Sequence, residues 1–133
     1  MTDRELVQIA SSMLERSYVP YSKFPVGAAL LCRDGTVFTG CNVENAAYGS
    51  TICAERTALL KAVSEGHTDD WQAIAIAGRG EDYCWPCGSC RQMLYEFAPG
   101  LRILAARGDG DYAETTLDRL FPKGFGPKSL KRE

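Results

Sequence analysis

The stretch WQAIAIAG, Trp71–Gly78, is a nearly unbroken apolar run of strand length, and it lies between two segments with helical spacing of apolar residues. Such a run is typical of a strand that is buried on both faces of its sheet. The segment before it, Thr51–Glu65, ends at a glycine, and the segment after it, Cys87–Phe97, is flanked by prolines. These signals predict a helix on each side of the strand, and therefore an α/β fold.

The rest of the chain extends this pattern in both directions. Apolar spacing predicts a first helix at Asp3–Arg16 and four further strands at Val26–Cys32, Val37–Val43, Leu101–Arg107 and Tyr112–Thr116. Asp-Gly at 34–35 and Gly-Asp-Gly at 108–110 indicate hairpins, so the last strand is predicted to run antiparallel to its predecessor. We predict a three-layer α/β/α sandwich around a mixed sheet of about five strands, formed by one domain over residues 1–133.

Composition excludes several classes of protein. The chain has 133 residues, 45% of them hydrophobic and 24% charged, which is incompatible with wholesale disorder. With 15 Lys and Arg against 17 Asp and Glu, it lacks the basic surplus of an electrostatic nucleic-acid binder. No apolar run approaches the ~20 residues that span a bilayer, and the first residues lack the pattern of a signal peptide. We therefore expect a cytoplasmic protein without nucleic-acid or membrane partners.

Six cysteines and a single histidine are the informative counts. Disulfide-rich domains are usually secreted and short of core, so cysteines here indicate metal binding, catalysis or burial. We expect Cys32 and Cys41, which lie in apolar strands, to be buried. His67 lies in the polar stretch 65–70, and we expect a solvated loop histidine. Any metal site must then consist mainly of cysteine.

Three cysteines begin the two predicted helices that flank the central strand. Cys53 opens one helix, while Cys87 and Cys90 are three residues apart at the start of the other, on one face of its first turn. Together they predict a site for one Zn²⁺ with an open fourth position, which is the arrangement of a catalytic zinc. Cys84 offers a second Cys-x-x-Cys pair with Cys87, but it precedes Pro86 and lies outside the helix, so we favour Cys90.

Charged residues next to these cysteines have chemical roles in this hypothesis. Glu55 and Cys53 are two residues apart and do not share a helix face, so they can meet at one site only if the metal lies off the helix end. In that position Glu55 would hydrogen-bond a zinc-bound water and act as the proton shuttle. Three thiolates on Zn²⁺ leave a net charge of −1, which a guanidinium donating hydrogen bonds to sulfur would offset. Arg56, three residues after Cys53, is the main candidate, and Arg91 adjoins Cys90.

Four ordered motifs between Tyr18 and Phe125 identify a family. They are YSKFPVGA at 21–28, GCNVEN at 40–45, CAER at 53–56 and PCGSCRQ at 86–92. The chain resembles the zinc-dependent cytidine deaminases, and is most similar to the small, homotetrameric, three-cysteine branch that acts on free nucleosides.

This resemblance implies a reaction and a set of roles. A zinc-bound hydroxide would attack C4 of cytidine or deoxycytidine, and Glu55 would protonate N3 and then the departing ammonia, a reaction of pyrimidine salvage. Asn42 and Glu44 would bind the ribose, Phe24 would stack near the pyrimidine, and the backbone of Ala54 would donate to the base carbonyl. Tyr48 and Phe125 would reach the active site of a neighbouring subunit in a homotetramer with shared sites.

Two features leave alternatives open. The family usually has a small residue before the Pro-Cys pair, and here it is Trp85, which changes the expected pocket for the leaving ammonia. Two other kinds of protein would also contain these cysteines. One is a structural zinc or thiol module without activity, and the other is a deaminase of a related nucleoside antibiotic. Polynucleotide deaminases usually have His-x-Glu and a basic groove, and neither is evident in the sequence.

Overall fold

A mixed sheet of five strands forms the centre of the chain in the computed structural model, which describes residues 1–130. The strands are β1 (Val26–Cys32), β2 (Val37–Cys41), β3 (Trp71–Gly78), β4 (Arg102–Ala106) and β5 (Tyr112–Thr116), in the order β2-β1-β3-β4-β5. Only the β3–β4 pair is parallel among these neighbours. The predicted mixed sheet and its antiparallel last strand are confirmed.

Helices cover both faces of this sheet. They are α1 (Asp3–Ser12), α2 (Ala54–Ser64), α3 (Gly88–Tyr95), α4 (Leu117–Leu120) and α5 (Pro127–Leu130), with single 3₁₀ turns at Met13–Arg16 and Tyr48–Ser50. Among the described residues, no helix combines the length and the apolar character needed to cross a bilayer.

The alternation of side chains along β3 separates two cores. Ile74 and Ile76 face the larger core, which includes residues of α2 and α3. Ala73, Ala75 and Ala77 face the other side, where α1 packs. Because successive residues of a strand point to opposite faces, one apolar strand supplies both layers. The predicted three-layer sandwich is therefore confirmed.

Element ends differ from the prediction at the edge where the two cysteine-bearing helices begin. β2 ends at Cys41 instead of Val43, and the side-chain oxygen of Asn42 accepts a hydrogen bond from the Val26 N–H at 2.9 Å. α2 begins at Ala54, three residues later than predicted, because Ile52 is extended and forms a β-bridge with Val43. Both differences result from pairing between segments that are distant in sequence.

Gly40 lets the first turn of α2 pack closely on β2. A methyl group at this position would lie against the carbonyl oxygen of Ala54 and 2.7 Å from the backbone nitrogen of Ala58. We expect Gly40→Ala to lower the free energy of unfolding by about 3 kcal/mol, because neither backbone atom can move without shifting the helix. Urea unfolding followed by circular dichroism measures this.

Gly49→Ala is the matched control for this substitution. Among residues 1–130, no atom lies within 4 Å of a methyl group added at Gly49, so we expect the effect of this substitution to stay within about 0.5 kcal/mol. Equal unfolding midpoints for the two variants would contradict the close packing of α2 on β2.

Candidate active site

Three cysteine sulfurs converge at the amino-terminal ends of α2 and α3. The Sγ atoms of Cys53, Cys87 and Cys90 all lie within 4.8 Å of one another, and those of Cys87 and Cys90 are 3.5 Å apart. Cys53 lies halfway between exposed and buried, Cys87 is exposed and Cys90 is buried. The structure thus brings together the three residues predicted as zinc ligands.

The local conformation of each helix start explains this convergence. Cys53 and Cys87 are the N-cap residues of α2 and α3, with extended ψ angles of 156° and 167°. Cys90 is the third residue of α3, and in a helix the N-cap and third side chains face each other. The positive end of each helix dipole also favours thiolates at these positions.

The thiols influence one another strongly. A hydrogen bond from Cys90, followed by the positive charge of Arg56, lowers the pKa of Cys53 to about 6. The same hydrogen bond, together with burial, raises the pKa of Cys90. The Cys53 thiol is therefore readily ionised, whereas the Cys90 thiol keeps a proton that a bound metal ion would replace.

This donor set fits zinc. Three sulfur ligands suit a tetrahedral Zn²⁺, and with no fourth ligand among the described residues of the cluster one position stays open. Cys84 lies outside the cluster, and burial, followed by the charge of Glu55, raises the pKa of its thiol to about 11. The three clustered cysteines, and not Cys84, can hold the ion.

Glu55 is the buried carboxylate of the site. It is the second residue of α2 and only 5% of its surface is exposed. Burial, followed by the nearby charge of Cys53, raises the pKa of Glu55 to about 7. A carboxyl group with a pKa near neutrality can both accept and donate a proton, which is the requirement for a proton shuttle.

The two arginines have different surroundings. The Nη2 of Arg56 lies 3.7 Å from the Cys53 sulfur, and the hydrogen bond to Cys90 raises the pKa of this guanidinium. Arg91 instead donates to the carbonyl oxygens of Pro86 and Leu120, at 2.7 and 2.8 Å. Arg56 is thus placed to act on the sulfurs directly, whereas Arg91 holds the segment that leads into Cys87.

A cavity of about 210 Å³ opens beside Glu55 and the cysteines. Its walls are Phe24, Val26, Asn42, Thr51, Cys53, Ala54, Glu55, Cys84, Trp85 and Cys87. The sequence predicted most of this wall, but it missed Val26 and Thr51. No sequence signal marks these two residues, because valine and threonine next to turns occur in many structural contexts other than binding sites.

Asn42 and Glu44 bind the loop that carries Phe24. The Asn42 amide donates to the Phe24 carbonyl at 3.0 Å. One carboxylate oxygen of Glu44 accepts from the backbone of Tyr21 and Ser22, at 2.9 and 3.1 Å. Hydrogen bonding with Ser22 lowers the pKa of Glu44. Both side chains therefore also shape the loop that forms one wall of the cavity.

Two predicted aromatic residues lie away from the cysteines. Tyr48 lines a neighbouring cavity with Tyr21, Glu44 and Thr51, and 73% of its surface is exposed. Phe125 is 57% exposed and is not among the described residues that line either cavity. Within the part of the chain that the structure describes, Phe125 does not reach either cavity.

Known proteins are similar to this chain in both sequence and structure. The family described as "Cytidine and deoxycytidylate deaminase zinc-binding region" matches residues 1–105. A cytidine deaminase from Sporosarcina psychrophila is 46% identical over 131 residues, which is 98% of this chain and 96% of the relative. One from Halalkalibacterium halodurans is 47% identical over 130 residues, covering 96% and 98% of the two chains.

Solved structures show the same relationship. The crystal structure of cytidine deaminase from Burkholderia pseudomallei superposes with a TM-score of 0.91 at 44% identity, covering 94% of this chain and all of that one. That of the Mycobacterium tuberculosis cytidine deaminase superposes with a TM-score of 0.82 at 38% identity, covering 95% and 99%.

Proposed function

The chain belongs to the zinc-binding cytidine and deoxycytidylate deaminase family, and we propose that it hydrolyses cytidine and deoxycytidine to uridine and deoxyuridine with release of ammonia. One observation carries the proposal: a buried carboxylate, Glu55, lies beside three converging cysteines at the wall of a cavity. A structural zinc site would need neither the carboxylate nor the cavity.

Glu55 moves the protons of this reaction. Bound zinc, held by Cys53, Cys87 and Cys90, supplies Lewis acidity that makes water a nucleophile near neutral pH. Glu55 accepts a proton from the water that attacks C4 and donates it to N3 of the pyrimidine. It then carries the second proton to the C4 nitrogen, which leaves as ammonia while the water oxygen remains on the ring.

The surrounding residues orient the nucleoside. Phe24 offers a ring face to the pyrimidine, and the Ala54 N–H at the start of α2 donates to the base carbonyl. Glu44 uses one carboxylate oxygen on the loop backbone, which leaves the other for a ribose hydroxyl. Asn42 contributes to the same ribose subsite and supports Phe24 through its carbonyl.

Loss of ultraviolet absorbance on mixing with cytidine tests the proposal. We expect zinc-loaded protein to convert both cytidine and deoxycytidine, with ammonia released in equal amount. If protein with one zinc per chain converts neither cytidine nor deoxycytidine, the proposed activity is wrong. Turnover of a cytosine nucleoside antibiotic alone would favour the antibiotic-deaminase alternative.

Arg56 offsets the negative charge of the three thiolates in this proposal. We expect Arg56→Gln to weaken zinc affinity by about 10- to 100-fold, because hydrogen bonds to ligand atoms tune metal binding by this amount. Equilibrium competition for zinc with a chromogenic chelator measures the change. Arg4→Gln is the control, since Arg4 lies over the Tyr112 ring and its helix packs on the other face of the sheet. Equal zinc affinities of the two variants would refute the role.

A homotetramer with shared active sites completes the proposed enzyme. The exposure of Tyr48 and Phe125, which the chain itself leaves uncovered, supports contact with neighbouring copies. Light scattering during turnover tests this, and an active species with the mass of one chain would contradict it. We also propose that residues 1–133 form one domain that acts on free nucleosides in the cytoplasm, where the six free cysteines stay reduced.

A further inference from the structure

A second cluster of metal-binding side chains lies at the opposite end of α2 from the candidate active site. The Cys32 sulfur, a His67 ring nitrogen and an Asp70 oxygen all lie within 4.8 Å of one another. Cys32 ends β1, while His67 and Asp70 lie in the connection between α2 and β3. The 11 residues of α2 separate this cluster from Cys53, a helix length of about 16 Å.

Neighbouring contacts hold the cluster in place. The Nδ1 of His67 lies 2.7 Å from the Asp70 carboxylate, and the indole N–H of Trp71 donates to the His67 carbonyl oxygen at 2.9 Å. The Phe38 ring packs edge-on against the imidazole, with 5.2 Å between centroids. His67 lies in a loop as predicted, but its predicted solvation is wrong, since its side chain is only 21% exposed. Ligands already held in position lose little conformational entropy when they bind an ion.

Charge and burial both favour a cation here. Asp70 Oδ1 is buried and has no hydrogen-bond partner among the described residues, which is a costly state for a carboxylate oxygen. A second carboxylate, that of Asp34, lies 3.9 Å from Nε2 of His67. The nearby Arg33 guanidinium donates to the Asp69 carbonyl oxygen and not to these carboxylates. Cys32 is fully buried, so its sulfur is shielded from bulk water.

We propose that Cys32, His67 and Asp70 bind one divalent transition-metal ion of zinc or cobalt character. A thiolate, an imidazole and a carboxylate are donors that such ions bind, and they supply three of the four positions of a tetrahedral site. Binding releases the thiol proton of Cys32, displaces the proton shared between His67 Nδ1 and Asp70, and satisfies the buried oxygen of Asp70. The ion would join the end of β1 to the α2–β3 connection and stabilise the fold, in a role separate from the chemistry at Cys53.

Titration with Co²⁺ of protein that holds one zinc per chain, at the three clustered cysteines, tests this site. We expect one equivalent of Co²⁺ to bind with a sulfur-to-cobalt charge-transfer band, to raise the thermal midpoint by several degrees, and to leave the resident zinc content unchanged. Absence of the band, or a band that grows only as zinc is released, would overturn the proposal.

Variants separate the ligands from their surroundings. His67→Gln and Asp70→Asn should each reduce Co²⁺ affinity at least 10-fold. Asp69→Asn, the same charge change at the adjacent exposed residue, should leave it unchanged. Because Cys32→Ala alters the core, the loop variant His67→Gln decides the outcome if Cys32→Ala fails to fold. Equal cobalt affinity in His67→Gln and Asp69→Asn would refute the proposed site.

Discussion

Replacing Glu55 with glutamine should lower kcat by about 10³- to 10⁴-fold while the protein keeps one zinc per chain. Glutamine has nearly the same shape as glutamate but cannot accept a proton from water or return it to the substrate. Because Glu55 is buried and does not belong to the cysteine cluster, its amide replaces it without removing a ligand. Steady-state kinetics with cytidine and metal analysis of the same sample measure both quantities.

Stability gives this experiment a second readout. Burial disfavours the charged form of Glu55, so a neutral amide at this position should leave the thermal midpoint equal or higher. Glu65→Gln, at the exposed end of the same helix, is the control and should retain its activity. A Glu55→Gln variant within tenfold of the parent kcat would disprove the shuttle, whereas one that lost its zinc would show that Glu55 supports the metal instead.

Replacing Cys87 with alanine should abolish activity through loss of zinc. A bound zinc in a four-ligand site is worth ~10–16 kcal/mol, so one ligand contributes about 3 kcal/mol, or a factor of about 10² in affinity. Cys87 is exposed, so its removal costs little packing and the folded protein can be purified for analysis. Metal content after dialysis against a weak chelator measures the loss.

Cys84→Ser is the matched control for this substitution. Cys84 lines the same cavity, but its sulfur lies outside the three-cysteine cluster, so the variant should keep one zinc per chain. Zinc loss from Cys84→Ser with retention in Cys87→Ala would reverse the assignment of the two thiols. Retention of zinc in both variants would contradict the assignment of Cys87 as a zinc ligand.

The sequence predicted the central strands well because their signal is local. β1 and β3 have the predicted bounds, Val26–Cys32 and Trp71–Gly78. Apolar runs of strand length with turn residues at both ends depend on few neighbours. Asn42 shows the limit of this local information. Its side-chain oxygen accepts the hydrogen bond of the Val26 N–H, and Val26 lies sixteen positions away, so the sequence around Asn42 does not show where β2 ends.

Site residues show the same division. Cys53 and Cys87 could be placed at helix starts because N-cap positions are set by the adjoining sequence. The burial of Glu55 could not be predicted, because residues two apart on a helix do not share a face and the wall beside it comes from the segment near Trp85. The exposure of His67 was predicted wrongly for the same reason, because the Phe38 ring that packs against it belongs to β2, far away in the sequence.

Local sequence signals were enough to predict the succession of strands and helices along the chain and the position of three cysteines at two helix starts. Which groups lose water, and which side chains meet, depended on how the elements pack together. This packing enclosed Glu55, engaged Asn42 and Glu44 with the Phe24 loop, and brought Cys32 to His67 and Asp70. The physical reason is range: periodicity and capping act within a few residues, whereas desolvation and ligand convergence depend on segments that only folding brings together.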